Sequence, residues 1–390
     1  MSDPKLRAPG LQVLFQPDAR LLVRSMVAGT GARVPLQAIG VLAFCGEPRT
    51  VEDCEAALGP NGRVLFEALA GAGLLVDPSA AGGTPVFFEN FAAVEVHRRM
   101  LADAVRVEAY WRALSTVVRP GMAVCDAGTG SGLLACMAAA LGARVVYAVE
   151  RSDLADLARD VIGASGLEDR VRVVRGDFGE VELPEKVDVI VTETFGALAL
   201  AEGAAPDLHA CAARNLKEGG VLVPRGLALW LAPVGDRALY DETVGVFGQV
   251  HGVDLAPLRA LAARRSRNRD VPMEALLAPG QAWSTPWWPR EAGASGTVTF
   301  GDLSGGELTG LCGWFVLDLV PGVVLPTGPL DPVTHWGQTY LPLEPVPVPP
   351  GATLRVEAEL SPAEEDRRTM HLRGNFSCGP ARGTLDHRVR

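Results

Sequence analysis

A chain of 390 residues, 48% hydrophobic and with a formal charge of −10, has room for two or three domains with sizeable cores. Its acidic balance, with an isoelectric point near 5.2, argues against a protein that coats nucleic acid and suits cationic substrates. Seven scattered cysteines without C-x-x-C spacing suggest neither a metal site nor a disulfide framework; with no signal peptide and no run near the roughly 18 apolar residues of a membrane helix, a cytoplasmic protein is expected.

The first 82 residues read as a separate module. A short strand is predicted over 11–15, followed by helices over 35–44, 50–58 and 63–69. Pro35 suits a first helical turn, and T-V-E-D from Thr50 is a capping-box-like start. Gly71 and Gly73 mark a turn into a strand at 74–76. This order resembles a winged helix, and specifically the PqqD-like peptide-binding modules of ribosomal-peptide modification enzymes. A DNA reader would carry a basic recognition helix, but the third helix holds only Arg63. Peptide or protein docking fits better, with a plain packing domain left open. P-S-A-A-G-G-T-P, from Pro78 to Pro85, reads as a linker.

From Phe87 to Val117 one or two amphipathic helices are predicted, with Val94, His97, Leu101 and Val105 at helical spacing. Asp103 and Arg106 share one side of this segment. Next comes V-C-D-A-G-T-G-S-G-L-L-A-C-M-A-A-A-L-G-A-R-V-V-Y-A-V-E, Val124 to Glu150: strand, glycine turn, helix, strand, carboxylate. Gly128, Gly130 and Gly132 allow a sharp turn and a close ligand approach. Such a stretch fits any tight βα turn, and a dinucleotide fold would want G-x-G-x-x-G. The G-x-G-x-G spacing behind Asp126 resembles class I S-adenosylmethionine (SAM) methyltransferases, whose cofactor has no pyrophosphate but needs acceptors that Asp126 and Glu150 can provide. A helix over 154–162, a strand over 171–174 leading to Asp177 and Phe178, and a buried parallel-type strand over 187–191 follow. Asp177 and Phe178 stand where the class carries its adenine contacts.

The last of these strands delivers T-E-T-F-G-A-L-A-L-A-E, with Glu193 and Glu202 nine apart around Gly196. Thr334-His335-Trp336, V-L-V-P at 221–224 and the terminal T-L-D-H-R-V-R complete an ordered set. Together they resemble protein arginine methyltransferases, from about Phe87 to Arg390. The resemblance implies a Rossmann-like α/β SAM domain at 83–224 and a β-barrel domain at 225–390. Short strands and many prolines beyond Leu227 suit the latter. It also implies a helical arm over about 253–280 that makes a homodimer. By the same resemblance Arg106 binds the cofactor carboxylate, and His97 and Met100 line the site. Asp103 and His335 form a pair that stabilises the site or relays a proton.

The chemistry explains the two carboxylates. A guanidinium is a planar fork of five N–H donors that stays protonated in water, and two carboxylates can grip it and orient one terminal nitrogen. Transfer of a methyl from SAM is an in-line displacement, so positioning is the main contribution. Several family features are missing. The tyrosine pair is Phe87 and Phe91, the loop aromatics shrink to Phe195 with Thr194 and Ala197, and a loop methionine is Ala204. An adenine-facing glutamate falls at Gly179, with Glu180 beside it. An arginine of a peptide or protein is the expected acceptor. The thinned loop keeps a small-molecule N- or O-methyltransferase open, and the lost tyrosines a catalytically weak binding protein. Intact Glu193, Glu202 and His335 argue against the latter.

Overall fold

The computed structural model describes residues 4–7, 11–15, 20–25, 31–35, 37–45, 48–77, 94–251, 253–286, 288–364 and 366–390. The linker expected over 78–85, and Phe87 and Phe91, lie outside them. The chain forms two compact units, Met1–Arg99 and Met100–Arg390.

The first unit carries more strand than expected. After β1 (Leu6–Arg7), the strands β2 (Leu11–Phe15), β3 (Arg20–Ser25) and β4 (Gly31–Pro35) form an antiparallel meander. β3 and β4 were not predicted: R-L-L-V-R-S is too short to show a period, and G-A-R-V-P carries two strand-breaking residues. Pro35 does not start a helix. It closes β4 opposite Arg20, at the end of an edge strand where a missing N–H costs no ladder bond. Then come α1 (Ala38–Phe44), α2 (Val51–Leu58) and α3 (Pro60–Gly71). The capping box of α2 is present, Thr50 and Asp53 exchanging side-chain and main-chain bonds. α3 starts at Pro60, earlier than predicted, because Gly59 at φ 75 breaks the chain from α2 and proline suits a first turn. β5 (Leu75–Val76) returns to pair with β1. Leu21, Val23, Val34, Val41, Phe66, Leu69 and Leu74 make this unit's core.

In the second unit α4 (Val94–Ala102), which begins before it, gives way to α5 (Ala104–Val117). A five-stranded sheet follows: β6 (Ala123–Ala127), β7 (Val145–Glu150), β8 (Val171–Arg175), β9 (Val187–Thr192) and β10 (Leu216–Val223). Its order is β10-β9-β6-β7-β8 and every pairing is parallel. β6 and β7 are buried along their whole length, which is why they read as unbroken apolar runs. The crossovers are α6 (Leu133–Ala140), α7 (Leu154–Ala164) and α8 (Ala205–Asn215). The chain leaves β6 toward β7 but leaves β9 toward β10, in the opposite direction. Adjacent strands whose connections diverge open a crevice at their C-terminal ends. Both sequence motifs, the glycine turn after β6 and the double-glutamate loop after β9, stand there.

After Val223 the architecture turns antiparallel. β11 (Gly226–Val234), β14 (Arg267–Arg269), β15 (Gln281–Ser284), β17 (Gly306–Val320), β18 (Val323–Pro326) and β19 (Gln338–Val348) form one sheet. β16 (Ala294–Phe300), β20 (Leu354–Ala363), β21 (Asp366–Cys378) and β22 (Ala381–Val389) form the other. The sheets meet at both edges: Trp283 Nε1 donates to Gly296 O at 3.1 Å, and Arg388 N to Arg264 O at 2.8 Å. The result is the expected barrel.

The stretch predicted as the arm divides in two. Residues 264–280 are woven into the barrel, β14 pairing with β19 and Leu277 N bonding to Pro233 O. The other part belongs to a helical segment that starts earlier, at α9 (Arg237–Tyr240), with a π-helical turn at Asp241–Gly245. A small hairpin, β12 (Gln249–Val250) and β13 (Val253–Asp254), and α10 (Ala256–Ala263) complete it. Tyr240, Val244 and Ala262 give it a miniature core, while Val246, Val253, Leu258 and Leu261 are exposed. All seven cysteines are free and all but Cys136 are buried. Among the described residues no helix is long and apolar enough to cross a membrane.

Candidate active site

The glycine turn is held by its neighbours on both sides. Gly128 N and Thr129 N both donate to Val149 O, at 3.0 and 2.9 Å. Gly128, at φ 79, has no room for a side chain: a Cβ there would lie 2.6 Å from Thr194 Cγ2. The Phe178 ring lies just beyond, beside the turn. Asp126 sits under it, 1% exposed, its Oδ2 accepting Thr129 Oγ1 at 2.5 Å and Ala135 N at 3.0 Å. Burial, opposed by those two bonds, raises the Asp126 carboxyl to about 7. Its Oδ1 is buried without a hydrogen-bond partner. Glu150 ends β7, with Oε2 accepting Gly130 N at 3.0 Å and Oε1 accepting Ser152 N and Oγ at 2.9 and 2.7 Å. Both carboxylates predicted to meet a cofactor therefore also shape the turn. Asp177 likewise is engaged, by Arg151 Nη1 at 2.9 Å and Gly179 N at 2.9 Å. Gly179 is buried against Asp207, where a Cβ would meet Asp207 Cβ at 2.8 Å, and Glu180 points to solvent. No glutamate can stand at 179 without moving α8.

Across the crevice, Asp103 caps α5 through a 2.9 Å bond to Arg106 N and latches the Thr334–Trp336 loop. His335 N and Nδ1 both bond to Asp103 Oδ2, at 2.8 and 2.9 Å. Burial works to raise the Asp103 carboxyl, but the His335 ring and the two main-chain donors together hold it below its ordinary value. Arg106, one turn into α5, bonds through Nη1 to Glu193 and through Nη2 to Met100 O at 2.9 Å. Its Nε is buried without a hydrogen-bond partner, as is Thr334 Oγ1. Met100 thus contributes its carbonyl to this arrangement. His97 is buried in α4 with Nε2 unpartnered.

The double-glutamate loop is not an exposed flap. Phe195 and Ala197 to Ala201 are all buried. Leu198, Ala199 and Glu202 have left-handed backbones, at φ 48, 57 and 85, conformations that non-glycine residues hold only under tertiary constraint. The constraint is visible. Leu198 packs into β17 at Gly313, where an added Cβ would lie 2.8 Å from Leu198 Cδ2. Trp336 Nε1 donates to Phe195 O at 2.7 Å, and Glu202 N to Arg368 O at 2.9 Å. The Glu193 side chain is 5% exposed, and burial raises its carboxyl despite the attraction of Arg106. The Glu202 carboxyl is packed more deeply than its half-buried residue surface suggests. Burial, and after it the Glu193 charge, push it up to about 8.

The predicted residues at 100–202 and 334–336 thus converge on one crevice, around the buried carboxyl groups of Glu193 and Glu202. The orphaned Arg106 Nε, Asp126 Oδ1 and Thr334 Oγ1, with a turn crowded against any Cβ at Gly128, fit a zwitterionic, ribose-bearing cofactor such as SAM. Tyr110, whose hydroxyl donates to Thr192 O at 2.9 Å and ties α5 to β9, was missed, although it lies one turn from Arg106 on the same face. Ser152 was also missed; its spacing of two from Glu150 is the signal of a local side-chain turn. Arg151 and Arg368 carry no such signal.

The family model of ribosomal protein L11 methyltransferase (PrmA) matches residues 109–228. Protein arginine N-methyltransferase 6 of Xenopus tropicalis is 30% identical over 313 residues, covering 75% of this chain and 91% of its own length. Among solved structures, protein arginine methyltransferase 10 of Arabidopsis thaliana, in a uniquely open conformation, superposes with a TM-score of 0.66 at 26% identity, over 77% of this chain and 98% of that one. A chain of the Trypanosoma brucei PRMT1 enzyme–prozyme heterotetramer with AdoHcy gives a TM-score of 0.69 at 23% identity, over 77% and 99%.

Proposed function

This chain belongs to the protein arginine N-methyltransferase family, and we propose that Glu193 and Glu202 are the clamp on which it methylates arginine in peptides or proteins. The observation that carries the reading is the pair of buried, like-charged carboxyls at the C-terminal end of β9, beside the cofactor turn. Arg106, Asp126, Glu150 and the turn at 128–132 would hold SAM, which when bound supplies an electrophilic methyl on its sulfonium. Burying two carboxylates together is costly unless a cation joins them. A guanidinium satisfies both at once and leaves one terminal nitrogen directed at the crevice. The Asp103–His335 latch closes the barrel side against water and positions Trp336 over the loop. Once the nitrogen is alkylated, the proton it sheds can pass to Glu202, which the bound guanidinium keeps ionised until then and whose raised proton affinity favours taking it. The test is transfer of radiolabelled methyl from SAM to arginine peptides, with mass spectrometry to place the label. Label on arginine and none on lysine-substituted peptides is expected; label on neither would move the small-molecule reading ahead.

Two further parts of the proposal concern partners. The exposed apolar residues of the arm, Leu258 and Leu261 above all, suit a homodimer contact. Leu258→Glu with Leu261→Glu should give monomers by light scattering and reduced turnover; a native protein already monomeric at micromolar concentration would contradict the arm's role. The PqqD-like N-terminal module, whose seven basic residues (Lys5, Arg7, Arg20, Arg24, Arg33, Arg49, Arg63) are matched by Asp3, Asp18, Glu47, Glu52, Asp53, Glu55, Glu67 and Asp77, suits a peptide rather than DNA. Deleting residues 1–82 should raise KM for a long peptide and leave kcat on a short arginine peptide similar, as loss of uniform binding does. Equal KM values for the long peptide would remove the module from recognition.

A further inference from the structure

The second clamp carboxylate does not stand on its own loop alone. Glu202 has a left-handed backbone, and its N–H is held by the carbonyl of Arg368 at 2.9 Å. Arg368 belongs to β21, in the barrel sheet remote in sequence from the SAM-binding strands. Its own backbone is fixed in turn. Asp366 opens β21 by accepting Arg368 N at 3.0 Å through Oδ1 and Thr369 Oγ1 at 3.2 Å through Oδ2. The start of β21 is thus tied by its backbone to the Glu202 turn, and the Arg368 charge acts on the Glu202 carboxyl.

We propose that Arg368 is a positioning residue of the acceptor clamp: its carbonyl holds the strained turn at Glu202, and its guanidinium supplies the counter-charge that keeps Glu202 available to the substrate cation. The inference rests on the clamp reading above. The charged groups that face Glu202 come from three elements. Glu193, at the end of β9, repels a second negative charge, whereas Arg368 from β21 and Arg151 from the end of β7 favour it. Arg106, His335 and Asp103 act on Glu193. Arg151 is bonded to Asp177 on the cofactor side, so its charge is shared. Arg368 is the barrel's own contribution, and it makes the competence of the clamp depend on the barrel being docked against the SAM domain.

Two cations near a cation-binding carboxylate pose a question of competition. Arg368 is attached through its backbone to the loop it serves, and its charge acts on Glu202. The pair with Arg368 is therefore closer to neutral than the pair alone, which lowers the pH at which Glu202 ionises to receive the substrate. Without Arg368 Glu202 would hold its proton to still higher pH, and an incoming guanidinium would have to displace that proton over a wider range of pH.

The experiment is the pH profile of kcat/KM for methyl transfer from SAM to an arginine peptide, in the native protein and in Arg368→Gln, Arg368→Met and Arg368→Lys. Each substitution keeps the main-chain carbonyl, so the tether to Glu202 N is retained. Removing the charge makes Glu202 harder to ionise. The limb on which activity rises with pH should therefore move to higher pH in the Gln and Met variants. Activity at pH 7 should drop roughly tenfold and recover above pH 9, as removal of one nearby opposite charge implies. Arg368→Lys should keep the native limb. Met serves where Gln perturbs folding, since its chain replaces the arginine stem against the same surroundings. A limb that stays in place in the neutral variants, or a uniform loss at every pH that lysine does not rescue, would overturn the role of Arg368. If the native protein labels no arginine at all, it is the clamp reading that fails.

Discussion

Glu202→Gln is expected to lower kcat/KM on an arginine peptide by roughly 10²-fold or more, the scale of a lost buried charged contact of several kcal/mol. Glutamine keeps the shape and one acceptor oxygen, but it removes the charge and turns donors toward the donors of a guanidinium. Glu193→Gln should do the same, and the two changes should be non-additive because both carboxylates grip one group. SAM affinity separates them from cofactor residues: Glu202→Gln should leave it unchanged, and Glu193→Gln should not weaken it, since it releases Arg106 from a buried partner. The pH profile adds a signature. Glu202 is raised to about 8 by burial and by Glu193, and only the ionised form can receive a cation. Native kcat/KM should therefore rise with pH through this region, and the Glu202 limb should vanish in Glu202→Gln. A lysine peptide should fail throughout, because an ammonium cannot span both carboxylates as a fork does. Near-native turnover in both Gln variants would mean that the acceptor is not a guanidinium held this way.

The parts of the site legible in the sequence were those that one short segment builds alone. The turn at 128–132, Asp126 and Glu150 lie within a single βα unit, where spacing dictates geometry. Asp103 and Arg106 share a helical turn. The roles of Glu193, Glu202 and His335 were reached through the resemblance of separated motifs. What supports them in space is the barrel, through Gly313, Trp336 and Arg368, and no local pattern marks those contacts. The same limit explains the fold. Strands that are apolar almost throughout, such as β7, were plain, whereas β3 mixes charged and apolar residues and β4 is an edge strand with glycine and proline, so that pairing with neighbours decides both. The stretch expected over 253–280 was read as one piece because no local pattern separates its helix from β14, and only pairing with β19 assigns β14 to the barrel.

Arg106→Met should be the most damaging single change, and it should damage two properties for separable reasons. The Arg106 guanidinium is 7% exposed and makes a buried ion pair with Glu193 while bonding to Met100 O. Removing one partner of such a pair leaves an uncompensated buried charge, at a cost of about 3–5 kcal/mol. The loss should depend on pH in a definite direction. Burial already raises Glu193 above its ordinary value, and without Arg106 it rises further. A carboxyl that holds its proton more tightly folded than unfolded favours folding below its unfolded value and loses that advantage as pH climbs to its folded value. Thermal unfolding should therefore show Arg106→Met close to native stability near pH 5 and progressively weaker toward pH 8. Adding Glu193→Gln removes the stranded charge and should restore stability across that range. It should not restore the cofactor. If the orphaned Nε and the fork of Arg106 receive a carboxylate of SAM, calorimetry should show affinity reduced roughly 10- to 100-fold in Arg106→Met and in the double variant alike, the range for a charge-assisted hydrogen bond. Recovery of SAM binding in the double variant would assign Arg106 to supporting Glu193 alone, with the cofactor carboxylate held elsewhere.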